Sequence, residues 1–274
     1  MSARGPYKVR QRLRDERGFT LIELLAATLA GLVVCGAAVA IVISALHLSL
    51  NDGDRTDADQ QGSVAMEKIV QALNSSCVVG YGISPIVGAT GASSATGSTA
   101  VAPSSGDTLT FFSSLSDSPN INPSEISVYL SSPGGPLVMA TYPAQASTGA
   151  SGATTYSYAA TPATSFTLIG HAAAPGTTPT QASTTPIFTY YGYNVAAGTL
   201  TQQISPSPYS TSPLGASGAS GTVEVGINFQ SQPGDGNNQL GGSADLSDSV
   251  VLRLTAAANG TTGTTGATTP KPCS

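Results

Sequence analysis

Polar and hydrophobic positions divide this chain into three stretches. From Leu24 to Leu50 there is no Asp, Glu, Lys or Arg. That run of about 27 residues exceeds the roughly 20 that an α-helix needs to cross a bilayer. Further on, Met66, Ile69, Val70 and Leu73 recur at i, i+3, i+4 and i+7, the apolar stripe of an amphipathic helix. No proline falls between Phe19 and Asn74. The pattern predicts one long helix from Phe19 to about Asn74, apolar in its first half and amphipathic in its second. Gly31, Gly36, Gly53 and Gly62 are points where it can flex.

After Ser75 the period changes. Short runs rich in β-branched and aromatic residues alternate with Gly, Pro, Ser and Asp. They predict strands at Thr108–Phe112, Glu125–Leu130, Leu137–Tyr142, Phe166–Ile169, Ile187–Tyr193, Thr199–Ile204, Val223–Phe229 and Val250–Thr255. Ile126, Val128 and Leu130 alternate, as do Val223, Val225, Ile227 and Phe229, and Val250, Leu252 and Leu254. Period two predicts an antiparallel sheet with one face buried and one wet. Phe111 and Tyr190 mark strands that supply core bulk. The fold class expected is α+β: a sheet packed on the outer half of the long helix. Residues 89–105 have a loop composition, and 256–274 form a low-complexity tail.

Charge gives the chain a direction. Of 274 residues, ten are Lys or Arg and fifteen Asp or Glu, for a net charge of −5. Six of the cations (Arg4, Lys8, Arg10, Arg12, Arg14 and Arg17) crowd the near side of the apolar run, with only Asp15 and Glu16 against them. The positive-inside bias predicts that this end stays in the cytoplasm and the bulk crosses the membrane. Residues 19–274 then hold four cations and thirteen anions, a net charge of −9. Such an acidic chain has no basic patch for broad binding to nucleic acid.

Glu23 does not suit a spanning helix. A carboxylate at the bilayer centre costs about 2.5–3.5 kcal/mol on insertion scales, less near the edge, and reads as functional with a partner to be found. No cation lies near it inside the run. A cut after Gly18 would give Phe19 a charged α-amino group at the right depth. A secretory signal peptide is the plainer alternative, with Ala38-Val39-Ala40 as its small-x-small site. Ile41-Val42-Ile43, however, carries the apolar run straight through that site. A lipoprotein signal fits no better, because Val33-Val34 precede Cys35.

Gly18-Phe19-Thr20-Leu21-Ile22-Glu23 before an unbroken apolar helix resembles the N-terminus of a type IV prepilin or pseudopilin. The resemblance covers Gly18 to about Leu50 and implies a pilin-like fold. It implies a leader, 1–18, cut by a membrane peptidase between Gly18 and Phe19, with N-methylation of Phe19. It implies that Glu23 pairs with the terminal amine of a neighbouring subunit. The segments that follow are a membrane and assembly half, 19–50, an amphipathic half, 51–76, and a β-rich head, 77–255. The partners implied are other pilin or pseudopilin subunits, the prepilin peptidase and an assembly platform in the cytoplasmic membrane. The function implied is that of a minor pilin or pseudopilin. The rivals are a pseudopilin of type II secretion or DNA uptake, and an envelope adhesin on a simple anchor. The midway proline of many major pilins is missing here.

Other candidate chemistry is sparse. Cys35 reads as a small hydrophobe in the apolar run. Cys77 and Cys273 both fall on the oxidising side, so a bridge between them is expected; two free or differently paired thiols are the alternative. Some pseudopilins bind calcium near their C-terminus, which makes Asp235, Asn237, Asn238, Asp245 and Asp248 candidate oxygen ligands. Their spacing is not that of an EF-hand, and a polar turn is the plainer reading. His47 and His171 have no metal-ligand spacing. No cofactor is expected, and no Gly-x-Ser-x-Gly elbow or Ser/His/acid set argues for an enzyme.

Overall fold

The computed structural model describes residues 20–78, 85–89, 102–114, 123–148, 154–175, 185–194, 198–202, 213–232 and 243–252. The chain divides into two compact units, Met1–Leu50 and Asn51–Ser274.

The first described element is a helix of 54 residues, α1 (Leu21–Asn74). In the first unit its apolar run is bare. Every residue from Thr20 to Leu50 is exposed, Leu21 to 82% and Ile22 to 78%. Two hydroxyls inside this run are returned to the helix itself. Thr28 Oγ1 donates to the Leu25 carbonyl at 2.9 Å and Ser44 Oγ to that of Ala40 at 3.0 Å. Polar groups satisfied within the helix need no water, as a lipid environment demands. By length and composition this is a helix able to cross a membrane.

In the second unit α1 buries Ala58, Gly62, Ala65, Met66, Ile69, Ala72 and Leu73. Val70 packs at the half-buried margin of the expected stripe. Small residues extend that stripe toward the N-terminus. Gly62 belongs to it as a contact, where flexing was expected. A Cβ there would collide with Cδ1 of Leu246 and lie 3.2 Å from Cβ of Ser231. The helix passes through all four glycines without a break.

The rest is antiparallel β-structure in two sheets. The first holds β1 (Thr108–Ser113), β2 (Ser124–Leu130), β3 (Leu137–Thr148), β4 (Thr154–Tyr158) and β5 (Thr164–Ile169). Its order is β1-β2-β3-β4, with β5 also paired to β3. The second holds β6 (Ala172–Ala173), β7 (Phe188–Asn194), β8 (Thr199–Gln202), β9 (Thr222–Ser231) and β10 (Ala244–Val251). Its order is β10-β9-β7-β8, with β6 against β9. A one-turn helix, α2 (Ala216–Gly221), leads into β9.

Two sheets replace the single one expected, and one core joins them to α1. Ile69 and Leu73 of the helix share it with Phe111, Ile126 and Val128 of the first sheet and Phe188, Tyr190, Ile227 and Phe229 of the second. Tyr190 is fully buried, and its hydroxyl donates to the Thr108 carbonyl at 2.8 Å, tying sheet to sheet.

Two further expectations are corrected. The last strand is Ala244–Val251, earlier than Val250–Thr255, of which residues 253–255 lie outside the described set. Its polar residues Asp245, Ser247 and Asp248 pair along β9, and that pairing sets the strand despite a loop-like composition. The outer face of β2, expected wet, is buried. Glu125 and Ser127 lie under a second apolar cluster of Val87, Phe112, Ala140, Tyr142, Ala144 and Tyr158. By contrast β9 alternates between a buried and a half-exposed face from Glu224 to Phe229, as predicted, although Gln230 beyond it is buried.

Candidate functional site

The motif that carries the resemblance opens α1. Gly18 and Phe19 lie outside the described residues; Thr20 and Glu23 lie within them. Thr20 is the N-cap. Its side-chain oxygen accepts the Glu23 N–H at 3.3 Å, and its carbonyl accepts those of Glu23 at 3.0 Å and Leu24 at 3.1 Å. The threonine side chain thus takes a donor otherwise left open at a helix start, which is one half of the capping-box pairing that Thr-x-x-Glu spacing allows. This role of Thr20 was readable from the Thr-x-x-Glu spacing and was missed. The Glu23 carboxylate stands exposed in the first turn, where the helix dipole favours an anion. It is thus an acid on an exposed apolar helix, open to a partner from outside the chain.

The other candidate residues do not converge on that turn. Cys77 is buried, donates its N–H to the Phe112 carbonyl at 3.1 Å, and is disulfide-bonded. Cys35 is a free, exposed thiol on α1, and Cys273 lies outside the described residues. Of the calcium candidates, Asp235, Asn237 and Asn238 lie outside the described residues. Asp245 sits on β10 and accepts from Gln230 Nε2 at 3.0 Å; Asp248, also on β10, accepts the Ser249 N–H at 2.7 Å. Among the described residues no three of His, Cys, Asp and Glu gather as a metal site. His171 pairs through Nδ1 with the Gly134 carbonyl at 3.2 Å, and His47 is exposed on α1.

One group stands out that sequence reasoning left on a wet face. Glu125 is 0% exposed, and neither carboxyl oxygen has a hydrogen-bond partner. Two residues along the same strand the polar row is satisfied. Ser127 Oγ lies 3.1 Å from Thr110 Oγ1, which donates to the Ala102 carbonyl at 2.7 Å. Burial pushes the Glu125 pKa up to about 7 from 4.5. The Tyr158 hydroxyl is likewise buried without a partner, and burial, then the nearby Glu125, raises its pKa.

The chain matches no protein-family model, no curated protein and no solved structure. Its two notable acids differ in kind. Glu23 is exposed at the start of an apolar helix, and Glu125 is sealed inside a β-layer.

Proposed function

We propose that this protein is a structural subunit, a minor pilin or pseudopilin, of a bacterial type IV pilus or related filament. The observation that carries the reading is the join of two features: Gly18-Phe19-Thr20-Leu21-Ile22-Glu23, and the helix it opens, bare and apolar to Leu50. In this reading the basic end stays cytoplasmic and a prepilin peptidase cuts between Gly18 and Phe19. The helix holds the subunit in the cytoplasmic membrane, with the β-rich unit outside, until an assembly platform draws it into the filament. Helices pack against helices there, and Glu23 meets the amine of a neighbouring Phe19. The activity is mechanical and needs neither a catalytic residue nor a cofactor. The pilin-like fold belongs to this proposal; the coarse α+β class with a long N-terminal helix supports it.

Processing is the test. The peptidase must approach the peptide after Gly18, where any side chain would stand in the way. Co-expressed with a prepilin peptidase, the wild-type chain should give an intact mass that begins at an N-methylated Phe19. Gly18→Val should stay full length in the membrane. A wild-type product that begins at Ile41 would restore the signal-peptide reading and end this one.

A further inference from the structure

The cover over Glu125 comes from an unexpected direction. In register, Glu125 stands between Phe112 of β1 and Tyr142 of β3, so the three side chains form a row on the outer face of the first sheet. Tyr158 belongs to β4, at the far end of the order β1-β2-β3-β4. In a flat sheet β4 would lie about 14 Å from β1, three steps of about 4.8 Å. Yet the Tyr158 and Phe112 rings stack with centroids 5.3 Å apart. The arm formed by the second half of β3 with β4, Ala144–Thr148 against Thr154–Tyr158, therefore curls back over the outer face. Its tyrosine roofs the row that holds Glu125.

We propose that this β3–β4 arm is a proton-controlled lid: it lies closed while Glu125 is neutral and opens when Glu125 ionises. A neutral carboxyl can stay in the apolar layer, whereas a carboxylate without a partner there must regain water. The least costly route is at the edge. There β4 pairs with β3 alone, and edge elements open before core strands. The titratable groups that face Glu125 among the described residues are Tyr142 of β3 and Tyr158 of β4; Tyr129 of its own strand neighbours the first and Tyr156 of β4 the second. Its pKa is raised by burial alone, so no charged neighbour holds the carboxylate in place. The closed form therefore keeps a proton that the open form releases. Closure is at full strength below about pH 4.5, weakens as the pH rises, and levels off above about pH 7.

The experiment is amide hydrogen exchange, corrected for intrinsic rate, on the full chain in detergent micelles from pH 5 to pH 8. Opening of β4 and the second half of β3 should rise about a hundredfold in wild type across that range, the linkage expected for a shift from 4.5 to about 7. The amides of β9 and of α1 beyond Asn51 should not follow, and Glu125→Gln should leave the arm's exchange flat. A flat wild type, an equal rise in Glu125→Gln, or a rise shared by every element would overturn the lid. If Glu125→Gln does not fold, carboxyl carbon NMR of wild-type Glu125 decides. Ionisation that tracks the arm's opening supports the proposal. Ionisation near pH 4.5 with the arm closed overturns it.

Discussion

Glu23 has two physical roles open to it, and their magnitudes separate them. As an acid in the first turn it interacts with the helix dipole for about 0.3–1 kcal/mol. As half of a buried ion pair in a filament, its loss would strand a neighbour's amine at a cost of about 3–5 kcal/mol. Thr20 keeps its hydroxyl bond to the backbone N–H of residue 23 whatever side chain stands there. Glu23→Ala should therefore still form the helix, insert, and be cut after Gly18. It should then be missing from sheared filaments, with Glu23→Gln failing alike because it too lacks the charge. Processed fraction in membranes and recovered fraction in filaments are measured together. Normal recovery of both variants would reduce Glu23 to a first-turn acid on the helix dipole and favour a simple anchor. Both acids show how far a residue can be read alone. Glu23 declares itself because its neighbours in sequence are apolar. Glu125 sits in ordinary alternation with Ile126 and Val128, and only the arm formed with β4 makes it unusual.

Among the elements, those whose bulk is β-branched or aromatic were legible. Val223–Phe229 lies within β9, and Thr108–Phe112 makes up all of β1 but its last residue. Those built from small or polar residues were not. Ala172–Ala173 takes its strand form from a partner's free edge rather than from its own propensity. Thr154–Tyr158 has Thr and Tyr at four of its five positions but no aliphatic alternation, and its strand form shows only in its pairing with β3. The same holds for the small-residue half of the α1 stripe: Ala58 and Gly62 carry no hydrophobic signal, yet both are buried. This yields a paired prediction within one helix. Gly53 has nothing within 4 Å of a built Cβ, so Gly53→Ala should stabilise by about 0.5–1 kcal/mol through helix propensity. Gly62 faces Leu246 and Ser231, so Gly62→Val should overpack that contact and cost about 1–3 kcal/mol. Thermal unfolding of the two variants should shift in opposite directions. A Gly62→Val variant as stable as wild type, or more so, would show that Gly62 is not a packing point.

For the whole molecule, the open question is what closes the second unit. Cys77 lies just after α1 and against β1. Ser114 N–H donates to the Ser75 carbonyl at 3.1 Å beside it, so a bond made at Cys77 acts on the joint between helix and sheet. That cysteine is disulfide-bonded while Cys35 is a free thiol, and Cys273 is the chain's third cysteine. The predicted bridge is Cys77–Cys273, formed on the oxidising side of the membrane where the proposed topology puts both. It would enclose nearly the entire β-rich unit. For so long a loop the chain-entropy model gives about 5 kcal/mol, chiefly by restricting the unfolded chain, although part of such stabilisation is attributed to enthalpy. A non-reducing peptide map should link the Cys77 and Cys273 peptides and leave Cys35 open to alkylation. Reduction, or Cys273→Ser, should then lower the denaturant midpoint with little change in the folded spectrum, because the loss falls mainly on the unfolded side. A Cys77–Cys35 peptide would contradict the topology as well as the bridge, since it would bring the apolar run and the β-rich unit into one oxidising space. Two free thiols at Cys77 and Cys273 would leave the helix–sheet joint to hydrogen bonds and the apolar core alone.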